Sequence, residues 1–395
     1  MPTYLQRQRA TLTAGLAKAP ADLRARHAAF LRRSQNADGG FSGRGGDSDL
    51  YYTAFGLWGL AVLGELTEEI GARAVGFFKE HWRRPNHLVD FFSLLHGYRL
   101  LQDLYAAAPF MRDALPEELR GAEAELAGLV TAAVETCRTP DGGYARTPGQ
   151  KGGSTYATFL SVLCYDELER EVPERERVLA FIASRRRDDG GFVELAPMRR
   201  AGTNPTAAAV AVLRILGDQT TQGDAVEFLR EAQSFDGGLR ANTVIPVGDL
   251  LSTFTGLWSL CDLNALGRVN SEAARRFALA LQQKDGGFLA GLWDEEADVE
   301  YTFYGLGTLS LLSAPTRERR PAVHHACGFD PGSWSGGAEC AAGYNRGRTD
   351  CKTVSMARTQ AARERAAIRK FVWLETRGCS RVSVSLTRRS FESFP

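Results

Sequence analysis

Long apolar runs are absent: nothing in the 395 residues approaches the roughly 20 consecutive apolar positions that a membrane-spanning helix needs. The first 30 residues carry Arg7, Arg9 and Asp22 and lack the apolar core of a secretory signal, so a cytoplasmic protein is expected. Lysine is scarce, 6 of the 48 basic side chains. A GC-rich coding bias accounts for that skew, so the arginines are no argument for nucleic acid. Cysteines number 7 and none stands in a C-x-x-C pair, which weakens any zinc-finger reading and leaves ordinary thiols. Excess charge is missing too, with 48 basic against 47 acidic residues. That balance averages two unlike parts: residues 315–395 hold 15 basic and 7 acidic side chains, residues 1–314 hold 33 and 40.

What the chain does have is a repeat. Asp38-Gly39-Gly40-Phe41, Asp141-Gly142-Gly143-Tyr144, Asp189-Gly190-Gly191-Phe192, Asp236-Gly237-Gly238-Leu239 and Asp285-Gly286-Gly287-Phe288 are five copies of one phrase. Four intervals separate them, three near 48 residues and the first about twice that, so a degenerate copy belongs near residue 90, around His87-Leu88-Val89-Asp90. A fixed period of this length decides the architecture before any local reading.

Each unit has one grammar. An amphipathic helix, such as residues 226–233 or 273–283, ends at Asp-Gly-Gly, where glycine tolerates positive φ. An aromatic residue or Leu follows and points to the core. A polar loop then leads to a second helix opened by a capping residue: Asp49, Ser154, Asn204, Asp249 or Asp298. Pro205 after Asn204 suits a first helical position. The second helices are apolar nearly all round and dotted with small residues, as buried helices are. Six outer–inner pairs make either an open solenoid or a closed ring. The inner helices are too apolar for a solvated concave face, so the expected class is all-α, a six-hairpin α/α toroid over residues 25–314. Residues 1–24 read as an N-terminal extension. Residues 315–395 carry no repeat and read as an irregular tail, mostly disordered, helical only near 357–371.

The period, the phrase Q-x-x-D-G-G-F and the helix grammar resemble the protein prenyltransferase β-subunit and terpenoid cyclase superfamily. The last two units look most like β-subunits of the Rab geranylgeranyl type. The resemblance implies an apolar central cavity for an isoprenoid diphosphate, a zinc ion that activates a protein cysteine, transfer of a prenyl group, geranylgeranyl above all, to that thiol, and a helical α-subunit as partner. The family's zinc ligands are an Asp, a Cys two residues on and a His at the next inner helix. The matching positions here are Asp249, Leu251 and Tyr301, so one ligand of three is retained and the zinc site is incomplete. Asp249 and Tyr301 are the catalytic candidates by position. The loop that carries the family's basic pair has Arg240 alone, with Arg199 or Arg200 as other candidates for the diphosphate.

Each candidate also has a plainer reading. Asp249 is a zinc ligand or only the N-cap of its helix. Asp294, Glu295, Glu296 and Asp298 hold a hard cation or form a solvated acidic loop. Tyr52, Phe55, Tyr156, Phe254, Trp258 and Tyr304, at inner-helix starts, line an isoprenoid cavity or are core packing. His87, His96 and Asp90 form an acid–base set or are structural. Asp47-Ser48-Asp49 is the nearest approach to the D-x-D-D acid of class II terpenoid cyclases, with Leu50 in the last place; those enzymes usually have two such barrels. The alternatives to prenyl transfer are therefore a non-catalytic toroid binding an isoprenoid, lipid or protein segment, and a cyclase-like enzyme.

Overall fold

Five of the outer helices end five residues before the Asp of Asp-Gly-Gly, and the tight turn that follows needs its first glycine at a positive φ that a side chain resists. Gly39 sits at +89° and Gly286 at +91°. Each turn also presses on the outer helix of the next hairpin. A Cβ on Gly39 would lie 2.1 Å from the carbonyl oxygen of Arg73, and one on Gly286 would lie 2.5 Å from that of Arg26. The residue after the turn is held on both sides: Phe41, Tyr144, Phe192, Leu239 and Phe288 pair with the residue three before the aspartate and with the cap of the following helix. Their backbone N–H groups donate to Thr53, Thr158, Thr206, Thr253 and Thr302. Those hydroxyls in turn donate to the carbonyl of the cap residue. All five side chains after the turn are buried.

The structure is a computed structural model that describes residues 1–81, 87–107, 122–218, 220 and 222–313. Among them are thirteen α-helices: α1 (Tyr4–Leu16), α2 (Ala21–Arg33), α3 (Leu50–Leu63), α4 (Glu68–His81), α5 (Leu88–Ala107), α6 (Ala122–Thr136), α7 (Thr155–Glu167), α8 (Arg175–Ser184), α9 (Thr203–Ile215), α10 (Gln222–Glu231), α11 (Leu250–Asp262), α12 (Ser271–Ala280) and α13 (Val299–Leu311). The class is all-α; the described residues hold isolated bridges but no strand.

From α2 to α12 the even-numbered helices are outer and from α3 to α13 the odd-numbered ones are inner. Each outer helix packs on the inner helix that follows it. The inner helices touch in order, and α13 returns to α3, so six hairpins close into a ring. The outer α12 buries only Ala274, Phe277 and Ala278, whereas α13 is buried on nearly every side. The seam follows the repeat, with the last turn seated on the first outer helix. There His27 Nδ1 accepts the Gly287 N–H at 3.0 Å, Nε2 meets Gln282 Oε1 at 3.2 Å, and the imidazole stacks on Phe288. Burial pushes the His27 pKa down to about 4, so the ring is neutral, as an accepting Nδ1 requires.

Two expectations change. Helix α9 starts at Thr203 with Gly202 as its cap, and no side chain caps it. Asn204 and Pro205 therefore lie inside its first turn. The register is set by the threonine four residues past the cap, here Thr206. Residues 1–24 are also more than an extension. Helix α1, opened by a capping box between Thr3 and Gln6, packs against α13, α3 and α7. It lies across the ring where the inner helices end. Arg7 pairs with Asp262, Arg9 with Asp103, and Thr3 Oγ1 donates to Glu167 at 2.7 Å. The Tyr4 N–H donates to Asp166, and Ser310 Oγ donates to the Leu12 carbonyl. The chain divides into Met1–Thr316 and Arg317–Pro395. All of the second unit, residues 82–86 and 108–121, and the readings made for the tail lie outside the described residues.

Candidate functional site

The end of the ring where the inner helices begin is a mouth. Four of the six helices open on side-chain caps: Asp49, Ser154, Asp249 and Asp298 each accept a backbone N–H from the first turn. Each cap meets one leading N–H, and the loop of the next hairpin meets others: the Thr155 N–H donates to the Glu194 carbonyl, the Tyr156 N–H to the Glu194 carboxylate and the Leu250 N–H to the Ala290 carbonyl. Side chains on the first two turns keep partial solvent access, among them Tyr51, Tyr52, Phe55, Tyr156, Phe159, Leu251 and Tyr301. Deeper ones, Trp58, Phe254, Trp258, Phe303 and Tyr304, are buried.

Together they form an aromatic bowl. Tyr51 lies edge-on to Phe55 at 4.9 Å between centroids, Phe55 to Tyr304 at 5.4 Å, and Tyr304 stacks with Phe254 at 5.5 Å. Trp58 stacks on Phe303 at 4.2 Å. On α9 the corresponding side chains are alanines, Ala207, Ala208 and Ala211, which fill far less space. Of the sequence candidates, Phe55, Phe254 and Tyr304 belong to this cluster of rings, Tyr156 lies beside Phe159 at 6.5 Å between centroids, and Trp258 is buried against Tyr4 of α1. Tyr52 lies higher, against Gly43 and Tyr51 at the rim.

One carboxylate stands among these rings. Glu300 accepts the Tyr51 hydroxyl at 2.6 Å and the Tyr304 hydroxyl at 3.2 Å. Burial first, and the Glu300 charge second, hold both phenols well above their usual pKa. At the rim Arg44 reaches from the α2–α3 loop to the last hairpin, donating to both oxygens of Asp294 at 2.8 and 2.6 Å and to Asp298 at 3.0 Å. Its guanidinium lies 5.4 Å from the Tyr301 ring centroid.

The residues do not fit zinc. Asp249 uses Oδ1 to accept the Ser252 N–H at 2.7 Å, its role as a cap. Burial, reinforced by nearby Asp236, pushes its pKa up to about 6 although the backbone bond pulls the other way. Leu251 has no donor atom, and the Tyr301 phenol is held protonated by burial and by the surrounding acids. Among the described residues no three His, Cys, Asp or Glu side chains gather to hold a metal. The acidic loop is no cation site either, since Arg44 occupies Asp294 and Asp298.

Arg240 is corrected. Its guanidinium donates to the Glu231 carbonyl at the end of outer helix α10, away from the bowl. A loop position fixes no side-chain direction, and the nearest helix C-terminus attracts the cation. The histidines do not gather: His87 lies 3.4 Å from Asp90, while His96 pairs with Glu167 across to α7. Asp49 is spent as a cap, and Ser48 donates to Asp38. Three participants escaped sequence reasoning: Glu300, Arg44 and Tyr4 of α1. The available signals were a lone acid in the first turn of an apolar inner helix, and a single cation in the glycine-rich run Gly43-Arg44-Gly45-Gly46.

The chain matches the model of the prenyltransferase alpha-alpha toroid domain over residues 13–97, 95–245 and 246–329. It belongs to that family. Among solved toroids, the protein geranylgeranyltransferase-I of Candida albicans in complex with GGPP matches at a TM-score of 0.56 and 16% identity, over 73% of this chain and 91% of that one. A variant of the type II terpene cyclase MstE from Scytonema, holding geranylgeranyl dihydroxybenzoate, matches at 0.52 and 14%, over 78% and 99%. An alpha-1,6-mannanase from Salegentibacter matches at 0.54 and 11%, over 73% and 98%. At such identities the likeness is one of fold, and the mannanase shows that a ring of this shape prescribes no single chemistry. No helix among the described residues is long and apolar enough to cross a membrane.

Proposed function

We propose that this prenyltransferase-family toroid holds an isoprenoid chain of fifteen to twenty carbons in its aromatic bowl, and does so without zinc. The observation that carries this reading is the wall of half-exposed aromatic rings that descends from the mouth to a closed floor. Both isoprenoid-bound relatives hold a geranylgeranyl group, which favours the longer chain. Each CH₂ buried contributes about 0.8 kcal/mol before ordering costs, so five extra carbons add roughly 4 kcal/mol at most.

Transfer to a cysteine, the activity the resemblance implies, requires a group that makes a thiolate. Asp249, Leu251 and Tyr301 supply none, so binding takes precedence over transfer. The diphosphate gains little at the described rim, because Arg44 already serves two carboxylates. A cysteine-bearing acceptor and an α-subunit have no residue arguing for them here.

The test is a titration of tryptophan fluorescence, reporting from Trp58 and Trp258, with geranylgeraniol and geranylgeranyl diphosphate, in EDTA and then with zinc. Saturable micromolar or tighter binding is expected, alike for alcohol and diphosphate within about threefold, unchanged by zinc and at least tenfold weaker for farnesol. Absence of saturation overturns the reading, as does binding that requires zinc. Thioether formation on a cysteine peptide reinstates transfer. One observation favours a cyclase as the second reading: Glu300 places a carboxylate within the bowl. A cyclic product that disappears in Glu300→Gln would establish it.

A further inference from the structure

We infer that α1 is the floor of the bowl and that the Tyr4 ring sets the length of chain the bowl accepts; the inference rests on the isoprenoid reading above. Tyr4 belongs to none of the six hairpins, yet its side chain is buried between two of them. It meets Phe159 of α7 edge-on at 6.5 Å and Trp258 of α11 edge-on at 6.0 Å between centroids. Phe159 is itself part of the half-exposed wall beside Tyr156. The Tyr4 ring therefore lies directly beneath a surface that faces the bowl.

The floor is finished chemically as well as sterically. The Trp258 indole N–H donates to the Tyr4 hydroxyl at 2.6 Å, so two polar groups satisfy each other and the bowl meets only ring carbon. Beyond Tyr4 the ring is filled by α1 itself, with Leu5, Leu12 and Leu16 buried. The helix is secured by bonds separate from that ring: Arg7 to Asp262, Arg9 to Asp103, Thr3 to Glu167 and Ser310 to the Leu12 carbonyl. Tyr4 can thus lose its ring without losing these anchors. A phenol has about the bulk of one isoprene unit, so its removal leaves a space of about one unit behind Phe159 and Trp258, into which the end of a longer chain can reach.

Full-length wild type, Tyr4→Ala and Tyr4→Phe are titrated with farnesol, geranylgeraniol and the twenty-five-carbon geranylfarnesol. Tyr4→Ala is expected to shift the preference between the twenty-five- and twenty-carbon alcohols at least tenfold toward the longer. Tyr4→Phe, which keeps the ring and loses only the hydroxyl, should stay within threefold of wild type. An unchanged ratio in a folded Tyr4→Ala protein, with wild type binding normally, overturns the floor and leaves the isoprenoid reading standing. If wild type binds no alcohol, the isoprenoid reading fails and the floor falls with it. Should Tyr4→Ala not fold, Tyr4→Leu, shorter but still apolar, is read by the same ratio.

Discussion

The two ends of the ring are built from the same six inner helices and are closed in opposite ways. At the mouth the helices begin, and their leading N–H groups are met by their own caps and by loops of the neighbouring hairpins, so aromatic side chains there keep partial solvent access. At the far end they finish, and three of them finish on acids: Asp103 of α5, Asp166 and Glu167 of α7 and Asp262 of α11 lie in or beside last turns. Carboxylates at a helix C-terminus oppose its dipole. Helix α1 supplies what they lack, bringing Arg7, Arg9 and the positive leading end of a helix onto them. The difference teaches that an open end needs helix starts satisfied by caps and neighbouring loops of the ring itself, while acidic helix ends recruit a stopper.

The largest effect should come from prising the stopper loose. A Cβ on Gly15 would lie 2.2 Å from Ser310 Oγ and 2.4 Å from the Ser310 carbonyl oxygen, so α1 and α13 approach more closely than any side chain allows. Gly15→Ala should cost about 3 kcal/mol, at the upper range of overpacking, read as a lower urea midpoint. The comparison sharpens if trypsin then cuts at Arg7 and Arg9 while the ring keeps its helical signal. It breaks if the whole molecule unfolds in one step with no early cleavage.

At the mouth the corresponding lock is Arg44. Arg44→Ala leaves Asp298 buried and Asp294 without their cation, and should cost about 2 kcal/mol, discounted for the partial exposure of the arginine. Burial already holds the Asp298 pKa above its usual value, with Arg44 opposing. Such an acid loses stability as pH rises through its folded pKa, so the deficit of the variant should shrink as the solution is acidified and Asp298 takes up its proton. A deficit that stays constant with pH would mean that Arg44 acts by packing alone.

Acid should open the two ends in a set order. His27 has a folded pKa lowered to about 4, so the unfolded chain takes up protons first and the mouth-side seam loses stability as pH falls from about 6.5 to 4. The whole span amounts to roughly 2 kcal/mol after allowance for local relaxation. At the closed end burial raises Glu167, but bonds from His96 and Thr3 outweigh it and its net pKa is low. Its contribution is present above the usual carboxylate range and is lost only as pH falls below that range, through its lowered folded pKa. Hydrogen exchange, corrected for intrinsic rates, should show α2 and the turn at Asp285 opening before α1. The reverse order would contradict the assignment.

The ring itself was legible because its unit is local. Five Asp-Gly-Gly phrases and the greasy helices after them lie within one period, and a period of this kind leaves few architectures. Even the misplaced cap at Asn204 was recoverable, since Thr206 keeps the four-residue spacing seen at Thr53, Thr158, Thr253 and Thr302. Bowl aromatics were legible for the same reason, as starts of inner helices. What joins the ends was not. Arg7 meets Asp262, Tyr4 meets Trp258 and Arg44 meets Asp298 across some 250 residues. No local pattern records which partner a closed ring will bring round. Arg240 misled for the complementary reason: its neighbourhood in sequence is right and its direction in space is not.

The smallest effect tests whether the Glu300 carboxylate is positioned by its phenols. Tyr51→Phe removes the 2.6 Å bond to Glu300 and leaves the ring contacts with Tyr52 and Phe55 in place. A hydrogen bond to a charged, half-buried acceptor contributes about 1 to 2 kcal/mol; because Tyr304 still donates, about 1 kcal/mol is expected. Tyr304→Phe, which gives up the longer bond of 3.2 Å, should cost less. The double variant should cost more than the two singles together, because only then does Glu300 lose both phenols. Simple additivity in urea unfolding would show that the phenols act independently. The mouth would then be a packed wall that happens to carry an acid, and only the closed end would owe its form to charge.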